Sequence, residues 1–257
     1  MKGAVVVQHG RSGALYTDAE ASSRGSGPLR ALVVVAFFCG CGGPVPAVEV
    51  GRALFSDPRT SSSDFNAVSC STCHDDGNGE GLERIFAGRS LVDSVNRPSW
   101  WGGQAPRLKD AVDNCMTFFM REPAPLTQDD PRGRALYEHL LSISPSSSSD
   151  ALPLTIVENV TSLARGDPRR GDKVWTNACQ PCHGAPHTGA GRLNDLISVV
   201  PESSEEFAAQ VGFDVDVVVI EKVRHGLFFG VGGNMPPFSV EALSDEDLGA
   251  LIAFLLP

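Results

Sequence analysis

Two copies of one pentapeptide pattern constrain this chain more than anything else in it: Cys70-Ser71-Thr72-Cys73-His74 and Cys179-Gln180-Pro181-Cys182-His183. In each copy two thiols stand three positions apart and a histidine follows directly. That spacing lets both thiols add across the two vinyl groups of one macrocycle. It also sets the imidazole under the ring, where a nitrogen reaches the iron. C-x-x-C-H is therefore the attachment pattern of a c-type haem. A redox dithiol competes for a single copy, but repetition in matching contexts favours two haem c groups with their iron. Cys70, Cys73, His74, Cys179, Cys182 and His183 are the residues expected to bind them.

Cysteine use supports this reading. The chain has seven cysteines, and outside the motifs only Cys39, Cys41 and Cys115 remain. The first two fall in an N-terminal hydrophobic segment, so no disulfide framework is implied. The formal net charge is −10, from 31 acidic and 21 basic residues. A surface of that sign is repelled by nucleic acid and by anionic lipid. The expected partners are a redox protein donor and acceptor with basic docking faces, not nucleic acid. Membrane contact would come only through a lipid anchor at Cys41.

Residues 1 to 28 are rich in Gly, Ser and Ala and hold no sustained period. Arg30 then precedes the apolar run Ala31 to Phe38, followed by Cys39-Gly40-Cys41-Gly42-Gly43-Pro44. A basic residue, a short apolar run and small residues describe an export signal, and the run is too short to span a bilayer. Its end resembles a bacterial lipoprotein signal, with Gly40 before Cys41 and Phe38 where a Leu is usual. Ordinary cleavage after Ala47 and a buried hydrophobic strand are the alternatives. Translation is expected to start just before the apolar run rather than at Met1. The expected location is the periplasm or the cell envelope, with or without a lipid anchor.

The remainder divides in two by repetition. Gly51-Arg52-Ala53-Leu54-Phe55 precedes the first motif, and Gly171-Asp172-Lys173-Val174-Trp175 precedes the second. A glycine-rich loop follows each histidine: Asp75 to Gly81 in the first copy, Gly184 to Leu193 in the second. Helical periodicity then predicts a helix over 106–121, with Leu108, Val112, Cys115 or Met116, and Phe119 on one face. Thr127 is expected to cap a closing helix bearing Leu136, Leu140 and Ile143. Asp214 is expected to cap a helix with Val215, Val218, Val219 and Val223, and Ser244 a final one with Leu248, Leu251, Ile252 and Leu255. The Pro/Ser tract from Ser144 to Asp150 is the best linker. The expected fold is mainly α: two tandem small cytochrome c-like helical domains, each with one covalently attached haem. Residues 1–47 form the signal segment, 48–144 the first domain, 145–167 the linker and 168–257 the second domain.

Sulfur residues complete the iron sites. Met235, on the Gly/Pro loop Gly230 to Phe238, is the expected sixth ligand of the second haem, because prolines stiffen the loop that presents its soft thioether. This segment, residues 168 to 257, resembles class I cytochrome c domains. For the first haem three residues compete on one helix: Cys115 ranks first, Met120 second and Met116 third, with a merely buried Cys115 as the bland alternative. His139 is a minor candidate. Trp100 and Trp101 read as packing residues, and Arg192 and Arg224 as partners for haem propionates. The stretch Asp113-Asn114-Cys115 with Met120 and Pro125-Leu126, about residues 105 to 145, resembles the segment carrying the cysteine haem ligand in dihaem thiosulfate dehydrogenases and their Sox relatives; Phe118 stands where an Arg is common there. Gly51 through Pro58 resembles the opening of bacterial dihaem cytochrome c peroxidases, and Asn96-Arg97-Pro98 is loosely similar as well.

Three functions follow from these features. The leading one is an exported dihaem cytochrome c that carries electrons between redox partners. The others are a haem enzyme oxidising a small sulfur compound such as thiosulfate at the first haem, and a dihaem peroxidase.

Overall fold

Two close helix crossings organise the fold, and a glycine sits at each. The computed structural model describes residues 44–78, 83–157, 159–160, 162–226 and 234–256. Helix α1 (Ala47–Ser56) is followed by α2 (Cys70–Cys73), α3 (Leu108–Phe118) and α4 (Pro131–Ser142). Helix α5 (Pro168–Val174) then leads through a wide turn, Trp175–Cys179, into α6 (Gln180–His183), α7 (Glu202–Val211), α8 (Val215–His225) and α9 (Asp245–Leu255). Helix α1 packs along α4, and α5 along α9. A Cβ added at Gly51 would stand 1.9 Å from the Ala135 carbonyl oxygen, and one at Gly171 would stand 2.1 Å from that of Ala250. Only a residue without a side chain lets the two backbones approach this closely. One turn after each glycine, Phe55 and Trp175 are buried. The Trp175 indole donates to the Gly184 carbonyl at 3.2 Å, which ties α5 to the end of the second motif.

The described residues contain no strand, only an isolated bridge between Trp100 and Ala105. The mainly helical fold expected from the sequence is therefore the fold observed. None of the described helices is long and apolar enough to cross a membrane. The expected export signal, with Cys39 and Cys41, lies outside the described residues, as do positions 79–82 and 227–233 of the two glycine-bearing loops.

Helix starts follow local chemistry, with one correction. Ser244 caps α9, its hydroxyl accepting from the Asp247 N–H at 3.1 Å, and Asp214 caps α8 by accepting from the Asp216 N–H at 2.8 Å. The expected cap at Thr127 is replaced by Asp130, which accepts from the Arg132 N–H at 2.8 Å. Pro131 explains the shift. A helix starting at Thr127 would bury Pro131 in its interior, where the ring clashes and an N–H is missing, whereas Asp130 as cap puts Pro131 in the tolerated first position. The helix expected over 106–121 is also shorter, since the Phe119 and Met120 N–H groups both close on the Cys115 carbonyl.

The larger core joins Val174, Trp175, Val219, Ile220, Phe238 and the apolar stripe of α9. Ala87 is buried in it and Ile85 packs on it, although both follow the first motif in sequence. A smaller cluster of Met116, Met120 and Leu126 packs with Val68, Cys70 and Val112. The tract expected as a linker is held on both sides. Ser146 donates its N–H and hydroxyl to Asp93 at 3.0 and 2.7 Å, and Thr155 does the same to Glu241 at 2.9 and 2.6 Å.

Candidate functional site

The first motif opens on a mostly apolar cavity. Cys70, Cys73 and His74 border it, with α3 contributing Val112, Cys115 and Met116 and the turn beyond it Phe119 and Met120. Leu136 and Leu140 of α4 close one side, and Leu152, Leu154, Pro236 and Pro237 close another. Trp100 and Trp101 also line it, in keeping with packing residues; Trp101 stacks on Phe119 with ring centroids 6.0 Å apart and planes 7° from parallel. All three sulfur candidates therefore reach the same cavity. They differ in how they are held: Met116 and Met120 are buried in the small hydrophobic cluster, while Cys115 stays half-buried at the cavity wall.

The second motif faces its own cavity, bordered by Cys179, Cys182, His183 and Met235. Phe207, Val218 and Phe238 add apolar wall, and Phe65 and Leu196 stand exposed at its rim. Met235, expected on a loop far along the chain, is thus brought beside the motif, and it also packs on the larger core. Val68, Cys73, Ala87, Phe119 and Pro236 border both cavities, so the two share a wall. Asn234, next to Met235, donates to the Phe118 carbonyl at 2.8 Å, which ties the methionine loop to the end of α3.

The two histidines are held alike. His74 Nδ1 lies 2.7 Å from the Arg89 carbonyl oxygen, and His183 Nδ1 lies 3.0 Å from that of Ser198; in both cases the carbonyl follows fifteen residues after the histidine. A carbonyl only accepts, so Nδ1 carries the proton and Nε2 keeps its lone pair. Such a bond fixes the tautomer and the ring orientation of a ligating histidine. Burial lowers both imidazole pKa values, which keeps them neutral. Gly88 is needed here, because a Cβ would fall 2.3 Å from the His74 ring.

Burial has the opposite effect on the thiols. It raises Cys70 to about 11 and Cys73 and Cys179 to about 12, and it raises Cys182 and Cys115 as well. None of the five is a reactive thiolate by itself. Among the described residues, two polar atoms at the first cavity are left over: Arg89 Nε and Arg97 Nε are buried without a hydrogen-bond partner. Arg97 spends its Nη2 on the Ser90 and Val92 carbonyls at 2.8 and 2.7 Å. An apolar cavity with two thiols, a neutral imidazole and unsatisfied guanidinium N–H groups fits a flat apolar ligand that carries carboxylates, as haem does.

Other sequence expectations are redirected. Arg224 is wholly buried and binds the Phe238 and Leu243 carbonyls at 3.0 and 2.8 Å and Asp245 at 2.6 Å, so it clamps α8 to the start of α9 instead of meeting a propionate. Arg192 pairs with Asp195 at 3.2 Å and borders neither cavity. His139 is fully buried, with its ring 5.2 Å from that of Phe55 and Nε2 3.4 Å from Asp76, also away from the cavities. His225 is buried against Glu221 and the Val157 carbonyl, and His187 pairs with Glu202 at 2.9 Å on the surface. Sequence reasoning missed Arg84 and Arg89, and met Arg97 only within the Asn96-Arg97-Pro98 segment. Their clustering after the first motif, in a chain so rich in acid, was the available signal.

Residues 166–255 match the family model described as cytochrome c oxidase, cbb3-type, subunit III. No curated protein matches the chain. Among solved structures, the as-isolated form of thiosulfate dehydrogenase (TsdBA) from Marichromatium purpuratum is similar at a TM-score of 0.40 and 15% identity, over 81% of this chain and 45% of that one. The chain thus spans less than half the length of that structure. Its C-terminal part, residues 166–255, is a cytochrome c-type domain, of the kind that holds a haem c with its iron and exchanges electrons with redox partners.

Proposed function

We propose that the chain is an exported dihaem cytochrome c, with one haem in each cavity, that relays electrons between two redox proteins. The observation that carries this is the matched pair of histidines, each with Nδ1 on a carbonyl fifteen residues on and each bordering a cavity shared with its own two cysteines. Haem c, when bound, supplies a one-electron ferrous–ferric couple. The chain's own residues do the rest. Cys70 with Cys73, and Cys179 with Cys182, tether; His74 and His183 present Nε2; Met235 offers the second site a thioether. The apolar walls exclude water and so limit the rearrangement that a change of charge would otherwise cause. Residues 48–144 and 168–257 serve as the two cytochrome units, joined by 145–167. The excess of acid favours partners with basic faces.

A second reading is favoured by Cys115. It keeps open surface at the first cavity, whereas both methionines, though they line it, are buried in the small hydrophobic cluster. We therefore rank Cys115 as the sixth ligand there, with Met120 and then Met116 behind it. A thiolate at that position would support oxidation of a small sulfur compound such as thiosulfate. A peroxidase needs an open iron position, which three sulfur side chains at one cavity disfavour. The test is electron paramagnetic resonance of the wild type and of Cys115→Ala, with haem counted per chain. Two haems and a thiolate-type low-spin signal that disappears in the variant are expected. One haem per chain sinks the dihaem reading, and an unchanged signal moves the ligand to Met120.

A further inference from the structure

One cation stands on the wall of the second cavity and reaches into the first motif, and neither motif accounts for it. Arg84 Nη2 donates to the Thr72 carbonyl, inside the first C-x-x-C, at 2.7 Å. Its guanidinium carbon lies 4.6 Å from the centre of the Phe86 ring. The next residue, Ile85, donates its N–H to the Asn177 carbonyl at 2.9 Å, just ahead of Cys179. A carbonyl, an aromatic face and a pinned backbone thus fix where this charge sits. Arg84 borders the same cavity as Cys73, Cys182 and His183. Among the described residues no carboxylate pairs with it. Thr72 lies between Cys70 and Cys73, and Cys182 borders the cavity that Arg84 lines, so the charge stands beside the attachment cysteines of both motifs.

We infer that Arg84 is a shared electrostatic control point for both haem sites: one fixed positive charge, set between their attachment cysteines, that favours the reduced form of each. This rests on the two-haem reading. Reduction adds an electron to a site, so a nearby cation stabilises the product of that step. In a partly desolvated wall its field is screened far less than at the surface. Because one charge serves both sites, it moves the two potentials in the same direction. The pair is thereby tuned against outside partners with little change in the driving force between its members. A charge beside only one site would tilt that internal step.

The test is a spectroelectrochemical titration of the full haem-loaded chain as wild type, Arg84→Gln and Arg84→Lys, with haem counted per chain. The glutamine variant is expected to keep both haems and their visible spectra, and to show a lower midpoint potential at both. The lysine variant, which restores the charge, is expected to recover most of the loss at each. A chain with a single haem overturns the two-haem reading itself. With two haems, a shift at one site only, no shift, or a lysine variant that behaves like glutamine overturns the role of Arg84 alone. Should Arg84→Gln fail to take up haem, Phe86→Leu replaces it. Removing the ring frees the guanidinium to swing away, and a smaller fall at both sites is expected, with no fall overturning the inference.

Discussion

The Cys70 site and the Cys179 site are built on one plan and finished differently. Each has a helix crossing closed by a glycine, a buried aromatic one turn on, and a histidine turned by a carbonyl fifteen residues later. The finish departs from there. At the second site the walls belong to a large side-chain core, one methionine is at hand, and exposed Phe65 and Leu196 mark an open rim. At the first site the core is a small methionine cluster, three sulfurs compete, and Leu152 and Leu154 lie over the cavity. The shared parts are those that hold a histidine and two thiols in place. On the two-haem reading, the parts that differ would set the sixth ligand and the access of solvent, which are a protein's means of tuning a haem.

The largest expected effect separates the two sites directly. Replacing Cys70 and Cys73 by Ala should leave one haem per chain, and replacing Cys179 and Cys182 should also leave one, counted by haemochrome spectra and intact mass. The loss of stability should be unequal. Around Cys179 the larger apolar core remains, whereas around Cys70 the buried cluster is the smaller one of Met116, Met120 and Leu126. Denaturant titration should show the Cys70/Cys73 variant as the less stable, since buried apolar area is the main favourable term. A larger loss in the Cys179/Cys182 variant would break the comparison.

The next effect tests the shared plan. At Gly51 and Gly171 the obstacle to a side chain is a backbone carbonyl, which cannot swing aside. Overpacking ordinarily costs about 1–3 kcal/mol, and Gly51→Ala and Gly171→Ala should each fall at the upper end of that range. Urea midpoints measure it. A tolerated alanine at either position would show that the two crossings are not equivalent.

These comparisons also show how much could be read in advance. The motifs, the glycines before them and the caps at Asp214 and Ser244 were legible because each rests on a local spacing that one physical rule explains. Thr127 was misread because its Ser/Thr-like cap pattern competed with Pro131, which decides where that helix can begin. Arg224 was expected near a propionate because charge alone gives no hint of burial. Only the fold reveals that its donors satisfy the Phe238 and Leu243 carbonyls. The carbonyls that orient His74 and His183 belong to the backbone and leave no side-chain signature at all. Likewise, packing of Ala87 and Ile85 into the core around Trp175 is a long-range event that no repeat within the chain encodes.

The smallest effect concerns the strap over the first cavity. Thr155 sits beside Leu154 and gives both its N–H and its hydroxyl to Glu241, while the Val240 N–H returns to the Thr155 carbonyl at 3.2 Å. Burial works to raise the Glu241 pKa, but the hydrogen-bond donors around it, the two from Thr155 foremost, together outweigh it and bring the carboxyl down to about 2. A carboxyl held below its unfolded value stabilises the native state in full above the unfolded pKa, near 4.5. That contribution is lost as the pH falls from there towards 2. The strap should therefore loosen across this window before the cavity walls do, and only the Cys70 site should feel it. Thr155→Val removes the hydroxyl donor while keeping the side chain's shape, so it should shift the onset of loosening to higher pH. Because this carboxylate is largely solvated, the change in overall stability should be small. Hydrogen exchange at residues 152–156, followed between pH 5 and pH 3, measures the loosening, with residues 198–204 beside the second cavity as the control. Equal changes at both segments would mean that acid acts on the whole molecule and that the strap is not a feature of the first site.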